Sequence, residues 1–278
     1  MNDVAGLDDD IRTLYERGIV SRSGAFTPEW LDTVREDIET EFAEARVREG
    51  GALARGPERW YVEIHPEQLR GFVDLVTHPW VVGVCEGVLG PAYEIVELGF
   101  DIPFPGAEDQ PWHRDFPSAP EVYEQHRITS LAFNLTAVDM VPEMGAAEFA
   151  PGTQWEPGID WPDGMFPPRA DAPRYAALAT RSYPQRGDIS ARSALTVHRG
   201  TPNRSDSARP VLVLGVDAPG AGHGAKHDLQ VTSAYHDRLP EAVRHHLAAR
   251  VVDQLEPIVQ KHTIEGLLSD DASGYEID

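Results

Sequence analysis

The chain has 278 residues, 41% of them hydrophobic and 25% charged, enough for one large domain with a full core. Its 46 acidic against 24 basic side chains give a formal charge of −22, a field that repels nucleic acid, anionic membranes and polyanionic cofactors and favours neutral or cationic small molecules. No apolar run approaches the length of a membrane span, the first residues carry neither the basic nor the apolar region of a secretory signal, and the one cysteine, Cys85, excludes an internal disulfide framework and fits a reducing cytoplasm.

The first 90 residues read as mainly helical. Thr27-Pro28 is an N-cap followed by proline at the first helical position. Behind it Trp30, Val34, Ile38 and Phe42 recur at i+4 with Leu31 beside them, which predicts an amphipathic helix to about Arg48, stopped by Gly50-Gly51. Shorter helices are predicted over residues 66–76 and from His78-Pro79 to Leu89, where Gly90-Pro91 follows.

From Tyr93 the pattern changes to short β segments. Strands are predicted over residues 93–102, 127–138, 186–190, 194–198 and 210–216. Residues 151–173 are rich in proline and glycine yet hold Trp155, Trp161 and Phe166, which predicts an ordered excursion over a pocket. A helix over 241–259 and an acidic tail close the chain. Helices first and many short strands after predict a single α+β domain over 1–278. It has a helical part to about 90, a mainly β core over 93–217 and a helical segment with tail over 225–278.

His113 and Asp115 stand at i and i+2, so on extended chain both face one way while Arg114 faces the other. Taken alone the pair is a weak signal, for which a surface histidine and aspartate are the simpler account. His198 follows the apolar run Ala194-Leu195-Thr196-Val197, and Arg209 comes eleven residues later, heading the segment Val211 to Leu214. If that segment hairpins back beside His198, Arg209 enters the same cavity, where a buried guanidinium requires an anion. Two imidazoles and one carboxylate suit a non-haem iron(II) ion with open coordination positions.

These stretches resemble the phytanoyl-CoA dioxygenase family of iron(II)- and 2-oxoglutarate-dependent oxygenases. Trp112-His113-Arg114-Asp115 is similar to the family's Trp-His-x-Asp; Asp139, then Met144-Gly145-Ala146-Ala147-Glu148-Phe149-Ala150-Pro151-Gly152-Thr153, to its central segment. Gly187-Asp188 precedes the second histidine, and His198-Arg199-Gly200-Thr201-Pro202-Asn203-Arg204-Ser205 with Arg209 is similar to its His…Asn-x-Ser…Arg. The resemblance spans about residues 95–217. It implies a double-stranded β-helix (a cupin-like jelly roll) flanked by helices, with iron held by His113, Asp115 and His198. It further implies 2-oxoglutarate paired to Arg209, dioxygen as co-reactant, and release of succinate and carbon dioxide as a substrate is hydroxylated, desaturated or cyclised. Asp115 argues against halogenation, since related halogenases lack this carboxylate. Gly200 stands where the family often has serine, which makes Thr201 and Thr129 the candidates for that contact. Gln154 and Met144 depart from a frequent histidine and asparagine.

The implied substrate is a small molecule, a natural-product intermediate as in antibiotic biosynthesis, and the acidic balance leans toward a sugar-like or amine-bearing one. A cupin-type isomerase, a dioxygenase independent of 2-oxoglutarate, and a non-catalytic binding protein on the same scaffold are the competing readings. Trp60, Tyr61, His65, Trp155, Trp161 and Phe166 are candidate pocket residues, with plain packing as their alternative role. His223 and His227, among Gly220, Gly222 and Gly224, read as a surface loop or part of a lid, and His245-His246 as solvated.

Overall fold

Alternation along the strands decides this architecture, because each strand of the main sheet is apolar on one face and largely polar on the other. The computed structural model describes residues 6–161 and 164–259, so the acidic tail lies outside the described residues. In chain order, α1 (Leu7–Arg17) ends at Gly18, whose φ of 76° supplies the left-handed cap, and β1 (Ile19–Arg22) follows. Then come α2 (Pro28–Arg46), β2 (Leu53–Ala54), β3 (Arg59–Glu63), α3 (Phe72–Val76), α4 (Pro79–Leu89) and β4 (Glu94–Pro103). The middle of the chain holds α5 (Pro120–Glu124), β5 (Ser130–Thr136), β6 (Glu148–Phe149), α6 (Ala172–Leu178) and β7 (Thr180–Arg181). It closes with β8 (Ile189–Ser193), β9 (His198–Arg199), β10 (Val211–Asp217), β11 (Gln230–Thr232), α7 (Ser233–His236), α8 (Glu241–His246) and β12 (Arg250–Val252).

Helix α2 begins as its sequence predicts, with the Thr27 hydroxyl accepting the Trp30 N–H and proline at the first turn. Leu31, Val34 and Ile38 are buried along it.

A seven-stranded antiparallel sheet runs β1-β8-β5-β10-β4-β3-β2, and a three-stranded sheet, β7-β6-β9, faces it; the two form a jelly-roll sandwich and not a closed barrel. The outer face of the large sheet carries Leu98, Phe100, Leu131, Phe133, Leu135, Leu212, Leu214 and Val216. These pack with Leu31 and Ile38 of α2, Leu75 of α3 and Val81 and Val84 of α4 into the main hydrophobic cluster. Each such side chain contributes about 1.5–3 kcal/mol by leaving water. The inner face is of another kind: Tyr61, Glu63, Glu97, Asp101, Asn134, Arg192, Val213 and Asp217 line a cavity of about 700 Å³ between the sheets. The core therefore lies outside the sandwich and the cavity lies within it.

The N-terminal part is mainly helical and also lends β1, β2 and β3 to the large sheet. Two sequence expectations are corrected. Residues 194–197 form a turn and not a strand: Thr196 N–H bonds to Ser193 O at 3.0 Å as the chain crosses from β8 to the small sheet. Their apolarity serves burial of Val197 against Trp112 and Tyr175 and of Leu195 against Val122 and Tyr123. The helix predicted over 241–259 ends at His246. Leu247 is extended, and Val251 then pairs with Val231 in a parallel two-stranded sheet.

Candidate active site

The segment carrying His113 is extended and pairs with β9: His113 N–H donates to His198 O at 2.9 Å and His198 N–H to His113 O at 2.8 Å. Asp115 N–H reaches Ala194 O at 3.0 Å. These bonds bring the three side chains together, with one potential ligand atom of each within 4.8 Å of the others. In His113, Nδ1 lies 2.8 Å from Pro111 O, and in His198, Nδ1 lies 3.0 Å from Thr196 O. A carbonyl can only accept, so each Nδ1 carries the proton and each Nε2 presents its lone pair to the cavity. Burial holds both imidazoles neutral: His113 is pushed down to about 4, and His198 is held well below its usual range by burial and then by Arg192 and His113. Neutral imidazoles and a carboxylate are the donor set a divalent metal requires.

Arg114 faces away, as the i, i+2 spacing predicts. It is fully buried, stacks at 3.9 Å on Trp161, donates to Glu156 O at 2.8 Å and bonds the Tyr123 hydroxyl. It thereby ties the excursion after residue 151 to the chain between His113 and Asp115. Arg192, from β8, reaches Asp115 Oδ2 at 2.9 Å. Nothing in the sequence singled it out.

Arg209 enters from the opposite side to the one expected. Strand β10 pairs with β4 and β5, not with β9, so Arg209 approaches from the large sheet. Its Nε donates to Met144 O at 3.2 Å, and its buried Nη2 has no hydrogen-bond partner. Burial, and then the nearby Arg59 guanidinium, pulls it down to about 9. An orphaned guanidinium nitrogen inside a cavity that also holds the triad fits an anionic ligand reaching toward that triad.

The structure does not bring Thr129 here. Asp217 pairs with Ser130 and Val211 with Thr136, so Thr129 lies at the end of β5 remote from Arg209. Thr201 is near, but its hydroxyl already donates to Ala146 O at 2.7 Å, and a carboxylate needs donors. Of the aromatic candidates, Tyr61 and Phe166 line the cavity, whereas Trp60, His65, Trp155 and Trp161 do not. His65 is a buried structural residue, accepting Gln230 N–H at 3.1 Å through Nδ1.

Of the two readings for His223 and His227, the free surface loop is corrected, since both line the cavity. His223 stacks on Phe116 with centroids 3.5 Å apart, and Asp217 accepts its backbone N–H at 3.0 Å. His227 Nδ1 lies 2.9 Å from Glu63. Burial lowers His227, but Glu97 and Glu63 outweigh it and leave the imidazole above its ordinary value. His246 is not simply solvated either: its ring stacks on Tyr93 and its Nδ1 lies 2.8 Å from Tyr93 O.

Comparison with known proteins adds to this geometry. A dioxygenase of Aspergillus hancockii, hkm4, is 26% identical over 234 residues, covering 75% of this chain and 70% of that protein. The non-heme alpha ketoglutarate dependent carbocyclase SnoK from nogalamycin biosynthesis shares the fold at a TM-score of 0.61, with 19% identity over 80% of this chain and 90% of that one. The epimerase SnoN in complex with Fe3+, alpha ketoglutarate and nogalamycin RO superposes at 0.63, with 19% identity over 93% of this chain and 95% of its own. Residues 14–211 match the family described as phytanoyl-CoA dioxygenase (PhyH), and the chain accordingly belongs to this family of non-haem iron(II)- and 2-oxoglutarate-dependent dioxygenases.

Proposed function

We propose that this dioxygenase oxidises a polar small molecule of natural-product metabolism, with His113, Asp115 and His198 as the iron ligands and Arg209 as the partner of the 2-oxoglutarate far carboxylate. The observation that carries the residue assignment is the conjunction of two neutral imidazoles and a carboxylate with an unpartnered guanidinium nitrogen in one cavity. Bound iron(II) with 2-oxoglutarate supplies dioxygen activation, with succinate and carbon dioxide as co-products. The protein's own part is positional. Pro111 O and Thr196 O hold the imidazole tautomers, and Arg192 fixes the plane of Asp115. The low-dielectric surroundings of Arg209 strengthen its pairing with a carboxylate.

The substrate class follows from the walls. Toward Asp217, the cavity presents Tyr61, Glu63, Glu97, Ser130, His223 and His227, groups that hydrogen-bond hydroxyls and amines. This supports a sugar-like or amine-bearing substrate over an acyl thioester. Two structural neighbours are named as a carbocyclase and an epimerase, which supports counting ring closure and stereochemical inversion with hydroxylation in this proposal.

The deciding experiment is anaerobic addition of iron(II) and 2-oxoglutarate to metal-free protein, followed in the visible region. A weak charge-transfer band in the wild type that is lost in His198→Ala and Arg209→Ala is the expected result. No band in folded, iron-loaded wild type favours a cupin-type reaction without 2-oxoglutarate, or a non-catalytic role.

A further inference from the structure

Glu63, Glu97 and His227 meet on the cavity wall toward Asp217, and their atoms are arranged more specifically than general polarity requires. Glu63 comes from β3, Glu97 from β4, and His227 from the turn between β10 and β11. His227 Nδ1 lies 2.9 Å from Glu63 Oε1, and a carboxylate accepts, so Nδ1 carries a proton. The two glutamates hold the imidazole above its ordinary value in spite of burial, which favours the charged form, in which Nε2 carries a proton too. Glu97 Oε2 is 3.8 Å from that Nε2, beyond hydrogen-bond reach. Glu97 Oε1 accepts the Tyr61 hydroxyl, which leaves Oε2 as the free acceptor. A donor and an acceptor thus stand side by side in the cavity without meeting.

The floor beneath them is cut to fit. Glu97 lies opposite Gly215, where a Cβ would come within 2.7 Å of both Glu97 Cβ and Oε2. Glycine inside a strand costs about 0.5–1 kcal/mol relative to alanine, and here it admits the carboxylate. The bulge that follows Gly215 does not demand glycine, since its φ is not positive. Ala132 of β5 continues the floor, and Arg192 of β8, which holds Asp115, stands on the same rung. Glu97 and Arg192 are therefore separated by three strand spacings, about 14 Å between backbones, with only small side chains between them. An ion pair that merely ties His227 to β3 accounts for Glu63 alone; it requires neither Glu97 nor the clearing over Gly215.

The geometry points to a substrate subsite for a vicinal diol, one hydroxyl accepting from His227 Nε2 and its neighbour donating to Glu97 Oε2. With these atoms 3.8 Å apart, a single hydroxyl bonded to both, at about 2.9 and 2.7 Å, would be bent to roughly 85° between its partners. Two adjacent hydroxyls meet them with straight bonds. A substrate ammonium beside Glu97 would instead face the protonated His227 at close range. The other acids are engaged, Glu63 by His227 and Asp217 by Ser130 and His223. The subsite rests on the oxygenase reading above and narrows it, to the polyhydroxylated member of that substrate class over the amine.

The test uses full-length protein loaded with 2-oxoglutarate and zinc(II), a redox-silent stand-in for iron. The probes myo-inositol, cyclohexanol and cyclohexylamine are titrated in turn and followed by saturation-transfer NMR. The inositol should bind more tightly than either of the others. His227→Phe and Glu97→Ala should each weaken it roughly tenfold, as for one hydrogen bond to a charged group, while 2-oxoglutarate affinity, which general damage to the fold would lower, stays unchanged. Inositol no tighter than cyclohexanol, or weaker than cyclohexylamine, overturns the diol site. So does either folded variant that keeps wild-type inositol affinity, and Glu97→Ala decides the matter if His227→Phe does not fold. The visible band of iron(II) with 2-oxoglutarate tests the oxygenase reading separately. With the band present, the inositol results judge the diol alone; without it, the oxygenase reading falls and the subsite loses its substrate role with it.

Discussion

Asp115 is held by Arg192 at 2.9 Å, and a metal at the triad would draw on the same negative charge. Arg192→Met tests what this means for stability. The methionine fills much of the side-chain volume but leaves Asp115, 28% exposed, without its cation. Removing one partner of a fully buried pair costs about 3–5 kcal/mol, whereas a single charge-assisted hydrogen bond is worth about 1.5–3. Because Asp115 still meets cavity water, the lower range applies, about 2 kcal/mol. At roughly 2–4 °C per kcal/mol for a chain of this size, the metal-free variant should melt about 4–8 °C below wild type. A divalent ion then restores a positive charge to Asp115, so the deficit should shrink by half or more at saturating manganese(II), used as a redox-stable stand-in. By linkage, the metal-induced rise in Tm is larger in the variant than in the wild type. The assay is differential scanning fluorimetry with calorimetric confirmation, with and without metal. An equal or smaller rise in the variant would refute the idea that Arg192 and the metal answer to one charge.

Two further predictions concern contacts outside the triad. Arg114→Met removes the stack on Trp161 and the bond to Glu156 O. About 3 kcal/mol should be lost, and amide exchange over residues 153–161 should quicken more than in β10; uniform quickening would show that Arg114 anchors no particular segment. For Asp217, burial opposes ionisation, but hydrogen bonds from His223 and Ser130 outweigh it and hold the carboxyl below its usual range. The stability it supplies is present above the unfolded value of about 3.9 and is lost as pH falls through the folded one. Asp217→Asn should therefore lower stability at pH 7 and flatten its acid-side decline, as seen in urea melts from pH 7 to 3; an unchanged acid slope would count against it.

The His-Asp-His cluster was legible because its signal is local. His113 and Asp115 share a face on any extended chain, and His198 with Arg209 kept a recognisable spacing. The side from which Arg209 approaches was not legible, since the chain from His198 crosses between sheets and no short-range pattern records such a crossing. Strand β3 was hidden for a related reason: Arg59, Tyr61 and Glu63 face a polar cavity, so their alternation looks like surface. Residues 194–197 misled in the opposite sense, being apolar because two small satellite clusters bury them and not because they alternate in a sheet. Arg192 carries no motif at all, and its contact with Asp115 exists only once β8 lies beside the segment that pairs with β9.

The large sheet divides its work by residue parity, with packing on one face and cavity lining on the other. Asn134 and Val213 line the cavity, while their chain neighbours Phe133, Leu135, Leu212 and Leu214 form the core. A substitution at an inward position thus alters what the cavity recognises without removing a methylene from the packed cluster. Such a scaffold can drift from one substrate to another through stable intermediates, and a library confined to the inward positions would sample new reactions while leaving the packed cluster untouched.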